Sequence, residues 1–162
     1  MNILVTGAKG FVGKNLTAAL KNIKDGKDPR SKEIIITQIY EYDVDSTEKE
    51  LLHYCEKADF VFNLAGVNRP KNVEDFMKGN YGFGEALLNN LKKFNNRCPV
   101  MLSSSIQASL VGRYKDSEYG KSKKAGEDLF FTYGKEIGTR VLVYRFPNLF
   151  GKWCRPNYNS AV

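Results

Sequence analysis

The chain has 162 residues, with 25 Lys and Arg against 18 Asp and Glu, a formal net charge of +7 and a hydrophobic fraction of 42%. That length and composition suit a single globular domain with a real core, and no apolar run reaches the ~20 residues that span a bilayer. Cys55, Cys98 and Cys154 are odd in number and far apart, which argues against a disulfide framework or a zinc site, and the single histidine, His53, makes a Ser-His-Asp triad a poor fit.

The N-terminus has no basic start, apolar stretch and cleavage site of a signal peptide, so the expectation is a cytoplasmic protein. Instead the first strand begins at once, through Ile3, Leu4 and Val5. It breaks at a loop, Val-Thr-Gly-Ala-Lys-Gly-Phe-Val-Gly (5–13), that holds Gly7, Gly10 and Gly13. Val12, Leu16, Ala19, Leu20 and Ile23 follow at helical spacing. A strand, a glycine turn and a helix N-terminus form a cradle for a pyrophosphate. Gly7 permits the tight turn, Gly10 lets the backbone approach the phosphates, and Gly13 lets the helix sit close to the sheet. The spacing is GxxGxxG rather than GxGxxG, so the remainder of the chain has to support the reading.

A polar loop, Asp25–Glu33, precedes a β-branched and aromatic strand at Ile34–Tyr40. Thr47-Glu48-Lys49-Glu50 has the form of a capping box, and Leu51, Leu52, Cys55 and Ala58 mark one face of the helix it starts. Asp59–Leu64 reads as a buried strand. Val73–Phe94 reads as a helix carrying Phe76, Met77, Asn80, Gly84, Leu87, Leu88, Leu91 and Phe94. Pro99–Ser103 is a strand, Tyr119–Ile137 a helix stopped by Gly138, and Arg140–Arg145 the last strand. Strands that alternate with helices and are near-continuously apolar predict a doubly wound parallel sheet of at least five strands, a Rossmann fold. Gly7, Gly66, Ser105 and Pro147 should then converge beyond the carboxyl ends of the strands.

Lysines and arginines gather at Lys21–Lys32, Lys92–Arg97 and Lys121–Lys124. With no nucleic-acid-binding motif or aromatic stacking platform beside them, we read them as a polar loop and as helix faces with acidic neighbours. Neither a nucleic-acid nor a membrane partner is expected. A positive field also suits anionic small ligands such as dinucleotides and sugar nucleotides.

The chemistry lies in Ser103-Ser104-Ser105 at a strand end and in Tyr119-Gly-Lys-Ser-Lys123. Positions i and i+4 share a helix face, so Tyr119 and Lys123 stand side by side. A nearby ammonium favours the phenolate and lowers a tyrosine pKa from its usual ~10, which lets the tyrosine exchange a proton with a carbinol or ketone. A strand-end serine can hold the same oxygen. Alternation puts Ser103 and Ser105 on one side of the strand, and the motif position favours Ser105.

These residues resemble the extended, nucleotide-sugar-modifying branch of the short-chain dehydrogenase/reductases over nearly the whole chain. TGAKGFVG is similar to that branch's TGxxGxxG loop, NLAG (63–66) to a strand-end motif, SSS before YxxxK to its catalytic set, and RFPNLFG (145–151) to its RxxNxYG element, with Phe150 in place of the tyrosine. Asn80 falls where the branch often carries a helix asparagine. AGVNRP (65–70), SSSIQA (103–108) and PNLFGKWCRPNYNS (147–160) resemble the reductase domain of capsular-polysaccharide enzymes that make UDP-N-acetyl-L-fucosamine. That resemblance implies NADPH-dependent reduction of a UDP-4-keto-6-deoxy-hexosamine, with Ser105, Tyr119 and Lys123 catalytic. It implies coenzyme contacts from Gly7, Lys9, Gly10, Phe11, Val12, Gly13, Asp43, Leu64, Ala65, Gly66, Tyr119, Lys123 and Pro147. Asn68, Arg69, Asn148 and Arg155, with Ser105, would face the UDP-sugar substrate, and the whole protein would be a homodimer.

Within the branch, a 4,6-dehydratase follows its strand-end hydroxyl residue with an Asp-Glu pair, whereas Ser105 here precedes Ile106-Gln107, which counts against dehydration. A 4-epimerase shares the triad and stays open. A dinucleotide-binding regulator without catalysis is the reading of another class; retention of Tyr119 and Lys123 counts against it. Asp43 would prefer NAD through a ribose hydroxyl; Lys9 would meet a 2′-phosphate and favour NADP, the choice to which the resemblance tips. Two features depart from the family. The serine-to-tyrosine loop is short, and the sequence stops at Val162, where the branch carries a C-terminal substrate domain. The expected layout is a dinucleotide-binding domain over 1–151 and the start of a substrate-binding region over 152–162. That region would be poorly packed and the sugar pocket incomplete, so the chain alone would bind coenzyme and turn over little.

Overall fold

The computed structural model describes residues 1–28, 33–68 and 70–154. Its strands are β1 (Asn2–Thr6), β2 (Gln38–Tyr42), β3 (Phe60–Asn63), β4 (Val100–Ser105) and β5 (Val141–Phe146). They form one parallel sheet in the order β2-β1-β3-β4-β5. The chain leaves β1 toward β2 on one side and returns to β3 on the other, so the sheet changes direction between β1 and β3, the place where doubly wound folds bind ligands.

Alternation along β1 sorts the core onto two faces. Leu4 joins Val61, Val100 and Leu102 under three helices, α2 (Glu48–Lys57), α4 (Phe83–Lys93) and α5 (Glu118–Ile137), which contribute Leu51, Cys55, Leu87, Leu88, Leu91, Phe130 and Tyr133. Ile3 and Val5 point the other way, to Ala8, Ile36 and the Leu20 side of α1 (Phe11–Lys24). The buried stripe of α1 is Gly13, Thr17 and Leu20; Ala19, expected on it, is exposed. Thr47 and Glu50 form the expected capping box, the Thr47 hydroxyl accepting from Glu50 N–H and the Glu50 carboxylate from Thr47 N–H. Such a cap contributes about 1 kcal/mol. Gly138 ends α5 in the left-handed conformation, φ 72°.

Two expected elements differ. The strand expected at Ile34–Tyr40 is β2 at Gln38–Tyr42, because β1 opens at Asn2, whose partner is Gln38. Residues before it bind the chain's own start: Thr37 N–H donates to Met1 O (2.8 Å) and the N-terminal ammonium to Ile35 O (2.7 Å). The helix expected over Val73–Phe94 is α3 (Glu74–Met77), a π turn (Lys78–Gly82) and α4. The π turn holds Asn80 buried, its amide matching the backbone of Val67: Oδ1 accepts from Val67 N–H and Nδ2 donates to Val67 O, both 2.9 Å.

The second and third basic clusters meet acidic neighbours on helices as expected: Lys92 pairs with Glu136 (2.8 Å), Lys121 with Glu118 (2.6 Å) and Lys124 with Asp128, whereas Lys21 and Lys24 of the first, expected in a loop, end α1. Cys55 and Cys98 are buried thiols, and that burial pushes both up to about 12. Cys154 is half-buried. No helix among the described residues is long and apolar enough to cross a membrane.

Candidate active site

A cleft of about 510 Å³ opens along the carboxyl ends of β1, β3, β4 and β5. The glycine loop forms one wall. Gly7 has φ +68°, and a Cβ there would lie 2.8 Å from Ala65 N, so the loops after β1 and β3 touch backbone to backbone. A Cβ at Gly13 would stand 2.1 Å from Gly7 O; only glycine lets α1 begin so close to the loop. Gly10 is the N-cap of α1 and supplies no side-chain cap. The first-turn N–H groups and the positive end of the helix dipole therefore face the cleft, the chemistry a pyrophosphate needs. Gly7, Lys9, Gly10, Phe11, Val12, Gly13, Leu64 and Gly66 all line this wall.

Asp43 and Ala65 stand outside the lining. Asp43 closes the far end of the glycine loop: Oδ2 accepts from Lys9 N–H (2.7 Å) and Oδ1 from Val44 N–H (2.8 Å). The exposed Lys9 ammonium pairs with Asp45, which holds the Asp45 carboxyl below the usual range. Ala65 turns its N–H to Thr6 Oγ1 (3.3 Å), and Thr6 in turn donates to Asn63 Oδ1 (2.6 Å), tying the ends of β1 and β3 together.

The opposite wall carries the serines and α5. Ser103 and Ser104 take opposite roles. Ser103 offers its carbonyl to Lys123 Nζ (3.2 Å). Ser104 donates to the buried Glu127 (2.6 Å), which also takes a bidentate grip from Arg145 (2.8 and 2.6 Å). Ser105 caps a short 3-10 turn (Ile106–Ser109), accepting from Gln107 N–H (3.2 Å). That bond uses a lone pair and leaves the hydroxyl hydrogen to donate into the cleft.

Lys123 is buried, and that burial draws its ammonium down to about 8. Its Nζ lies 5.8 Å from the centre of the Tyr119 ring, and the Phe76 ring is tilted against that ring with centroids 5.7 Å apart. Asn80 reaches the same helix through Ser122: Nδ2 donates to Ser122 Oγ (3.0 Å), which donates to Tyr119 O (2.8 Å). Ser105, Tyr119 and Lys123 thus share one cleft with the glycine loop, and Asn68, Pro147 and Asn148 line it as well. Arg69 and Arg155 lie outside the described residues. Of 152–162, only Lys152–Cys154 are described: Asn15 Nδ2 donates to Lys152 O (2.7 Å), and Trp153 and Cys154 border the cleft.

Residues assigned no site role from the sequence also converge here. Tyr114 and Gln107 line the cleft. Glu127 and Arg145 support the strand from behind; the Arg145 in RFPNLFG was their only visible signal.

The sequence profile of the NAD dependent epimerase/dehydratase family matches residues 3–162. The chain belongs to that family. It is 41% identical, over all of its length, to a UDP-2-acetamido-2,6-beta-L-arabino-hexul-4-ose reductase of Pseudomonas aeruginosa, of which it covers 39%. Among solved structures it resembles the capsular polysaccharide assembling protein CapF of Staphylococcus aureus, with TM-score 0.77 and 44% identity over 99% of this chain and 39% of that one. It also resembles a UDP-glucuronic acid 4-epimerase of Bacillus cereus in complex with NAD, with TM-score 0.71 and 25% identity over 96% of this chain and 60% of that one. The chain therefore spans about two fifths of the reductase and of CapF.

Proposed function

We propose that this family member works as an NADPH-dependent reductase of a UDP-4-keto-6-deoxy-hexosamine, with residues 1–151 as its dinucleotide-binding unit. The observation that carries the reading is the shared cleft: Ser105, Tyr119 and the buried Lys123 face an uncapped helix N-terminus built for a pyrophosphate. The likeness to a UDP-sugar reductase supports the substrate class.

The bound coenzyme supplies the hydride. The protein's residues handle the oxygen. Ser105 donates a hydrogen bond to the ketone oxygen and orients it. Tyr119 gives that oxygen its proton as negative charge develops there. Lys123, fixed by the Ser103 carbonyl, keeps a positive charge beside the phenol and favours its ionised form after transfer. Asn68 and Asn148 offer amides to the sugar nucleotide from the same cleft, and Arg69 and Arg155 complete the proposed substrate set.

The test uses coenzyme balance. Offered a UDP-4-keto-6-deoxy-hexosamine and NADPH, the protein should oxidise one NADPH for each ketone reduced. An epimerase returns the hydride to the sugar and consumes no net coenzyme, so epimerised product at constant NADPH would refute the reductase reading.

The choice of NADP(H) rests on Lys9. Its ammonium is at the glycine loop and its Asp45 partner is exposed, while both Asp43 oxygens already hold backbone N–H groups. Calorimetric titration of Lys9→Ala should show NADPH affinity falling about tenfold or more, the order of one charge-assisted phosphate contact, with NADH affinity little changed. Equal losses for both coenzymes would move the site away from a 2′-phosphate.

A further inference from the structure

We propose that Gln107 is a positioning residue that sets Tyr119 against Ser105. It rests on the reductase reading for its kinetic consequence, and on geometry alone for the clamp itself.

Bonds from Ser103 to Lys123 and from Ser104 to Glu127 tie β4 to the later turns of α5; Gln107 ties Ser105 to the helix start. Its backbone N–H donates to Ser105 Oγ (3.2 Å). Its side-chain Oε1 accepts from Ser117 Oγ (2.8 Å). Ser117 is the N-cap of α5 and accepts from Gly120 N–H (2.9 Å), so the side chain of Gln107 orients the cap of the helix that presents Tyr119 in its first turn. The carbonyl of Gln107 also lies against that first turn: a Cβ on Gly120 would stand 2.5 Å from it. The 3-10 turn after Ser105 and the start of α5 therefore meet backbone to backbone.

The covalent path between the two is a poor ruler. It leaves the 3-10 turn through Leu110 in the left-handed conformation, φ 53°, passes the exposed Val111, and makes a second short turn at Gly112–Tyr114 before reaching Ser117. A proton donor and an oxygen-orienting hydroxyl have to hold one substrate atom together, and a misplacement of about 1 Å costs on the order of 10²-fold in rate. The bonds at Lys123 and Glu127 act further along α5, and those of Gln107 fix its first turn, where Tyr119 sits, against Ser105. Any replacement but proline keeps the backbone bond to Ser105, so variants at 107 isolate the clamp from the serine it starts at.

Gln107→Leu keeps the size and removes the acceptor; Gln107→Glu keeps an acceptor oxygen. Three quantities are read in the protein: turnover with a UDP-4-keto sugar and NADPH, amide exchange at Gly120, and titration of the Tyr119 phenol by NMR on isotope-labelled tyrosine. For Gln107→Leu, turnover should fall about 10–100-fold with coenzyme affinity unchanged. Gly120 exchange should quicken about fivefold, the order of a weakened N-cap, and the Tyr119 midpoint should rise as the phenol drifts from Lys123. Gln107→Glu should restore the slow Gly120 exchange. Unchanged exchange and an unchanged Tyr119 midpoint in Gln107→Leu overturn the clamp whatever the substrate proves to be. Faster exchange with full turnover overturns the positioning role. A parent protein that reduces no UDP-4-keto sugar refutes the reductase reading instead, and the exchange and titration readouts still decide the clamp.

Discussion

Tyr119→Phe should lower turnover of a UDP-4-keto sugar by on the order of 10²-fold or more, the contribution of a positioned general acid, a far larger effect than any change in coenzyme affinity. The ring packing against Phe76 survives the change, and only the phenolic oxygen goes. Parallel loss of coenzyme binding would mean that the tyrosine holds ligand rather than transferring a proton. A variant within a few-fold of wild type would remove Tyr119 from the chemistry. The pH profile gives a second check. Lys123, drawn down to about 8 by burial, keeps its proton at neutral pH and gives it up as pH rises through that value. Turnover that needs the ammonium should decline across the same window.

Arg145→Ala should destabilise the fold by about 2 kcal/mol, less than stranding one partner of a fully buried ion pair, because Glu127 is buried but the Arg145 side chain is 44% exposed. Glu127 is 1% exposed and would keep only Ser104 as a donor among the bonds described above. Burial raises the Glu127 carboxyl, but the bonds from Arg145 and Ser104 outweigh it, so the group lies below the ordinary glutamate range. A carboxyl depressed in the folded state contributes stability above its unfolded value and loses it as pH falls through the folded one. Without Arg145 the depression is gone, and the carboxyl takes up a proton and becomes neutral at higher pH. The cost of the substitution should therefore be greatest near neutrality and shrink toward acid, as measured by urea unfolding at several pH values. A cost that stays constant from neutrality down through the carboxylate range would contradict the assignment.

Local signals in the chain were readable where a short segment decides its own conformation. The capping box at Thr47 and Glu50, the glycine stop after α5 and the i, i+4 pair of Tyr119 and Lys123 involve neighbours along one helix. Strand alternation separated Ser104 from Ser103 and Ser105 for the same reason. Position in the sheet was less readable. Ile34–Ile36 have strong strand preference, but pairing is set by where β1 starts, and those residues have no partner strand beside them. The support behind the site was the least readable. The grip of Arg145 on Glu127, and of Asn80 on Val67, joins residues on different elements whose approach only the folded chain defines.

The π turn at Lys78–Gly82 has an evolutionary implication. A π turn carries one residue more than an α turn, so Lys78–Gly82 has the form of a single-residue insertion in an otherwise ordinary helix running from α3 into α4. Deleting any one of those residues would let the helix close up in a uniform register. Each residue on one side would then swing by about 100° around the axis. Asn80, which now meets both Val67 and Ser122, could not keep both contacts. Length at this point of the helix therefore matters to the Asn80 contacts as much as residue identity does. Gene lineages that lose one codon here should also lose the asparagine, because the side chain has nothing left to hold.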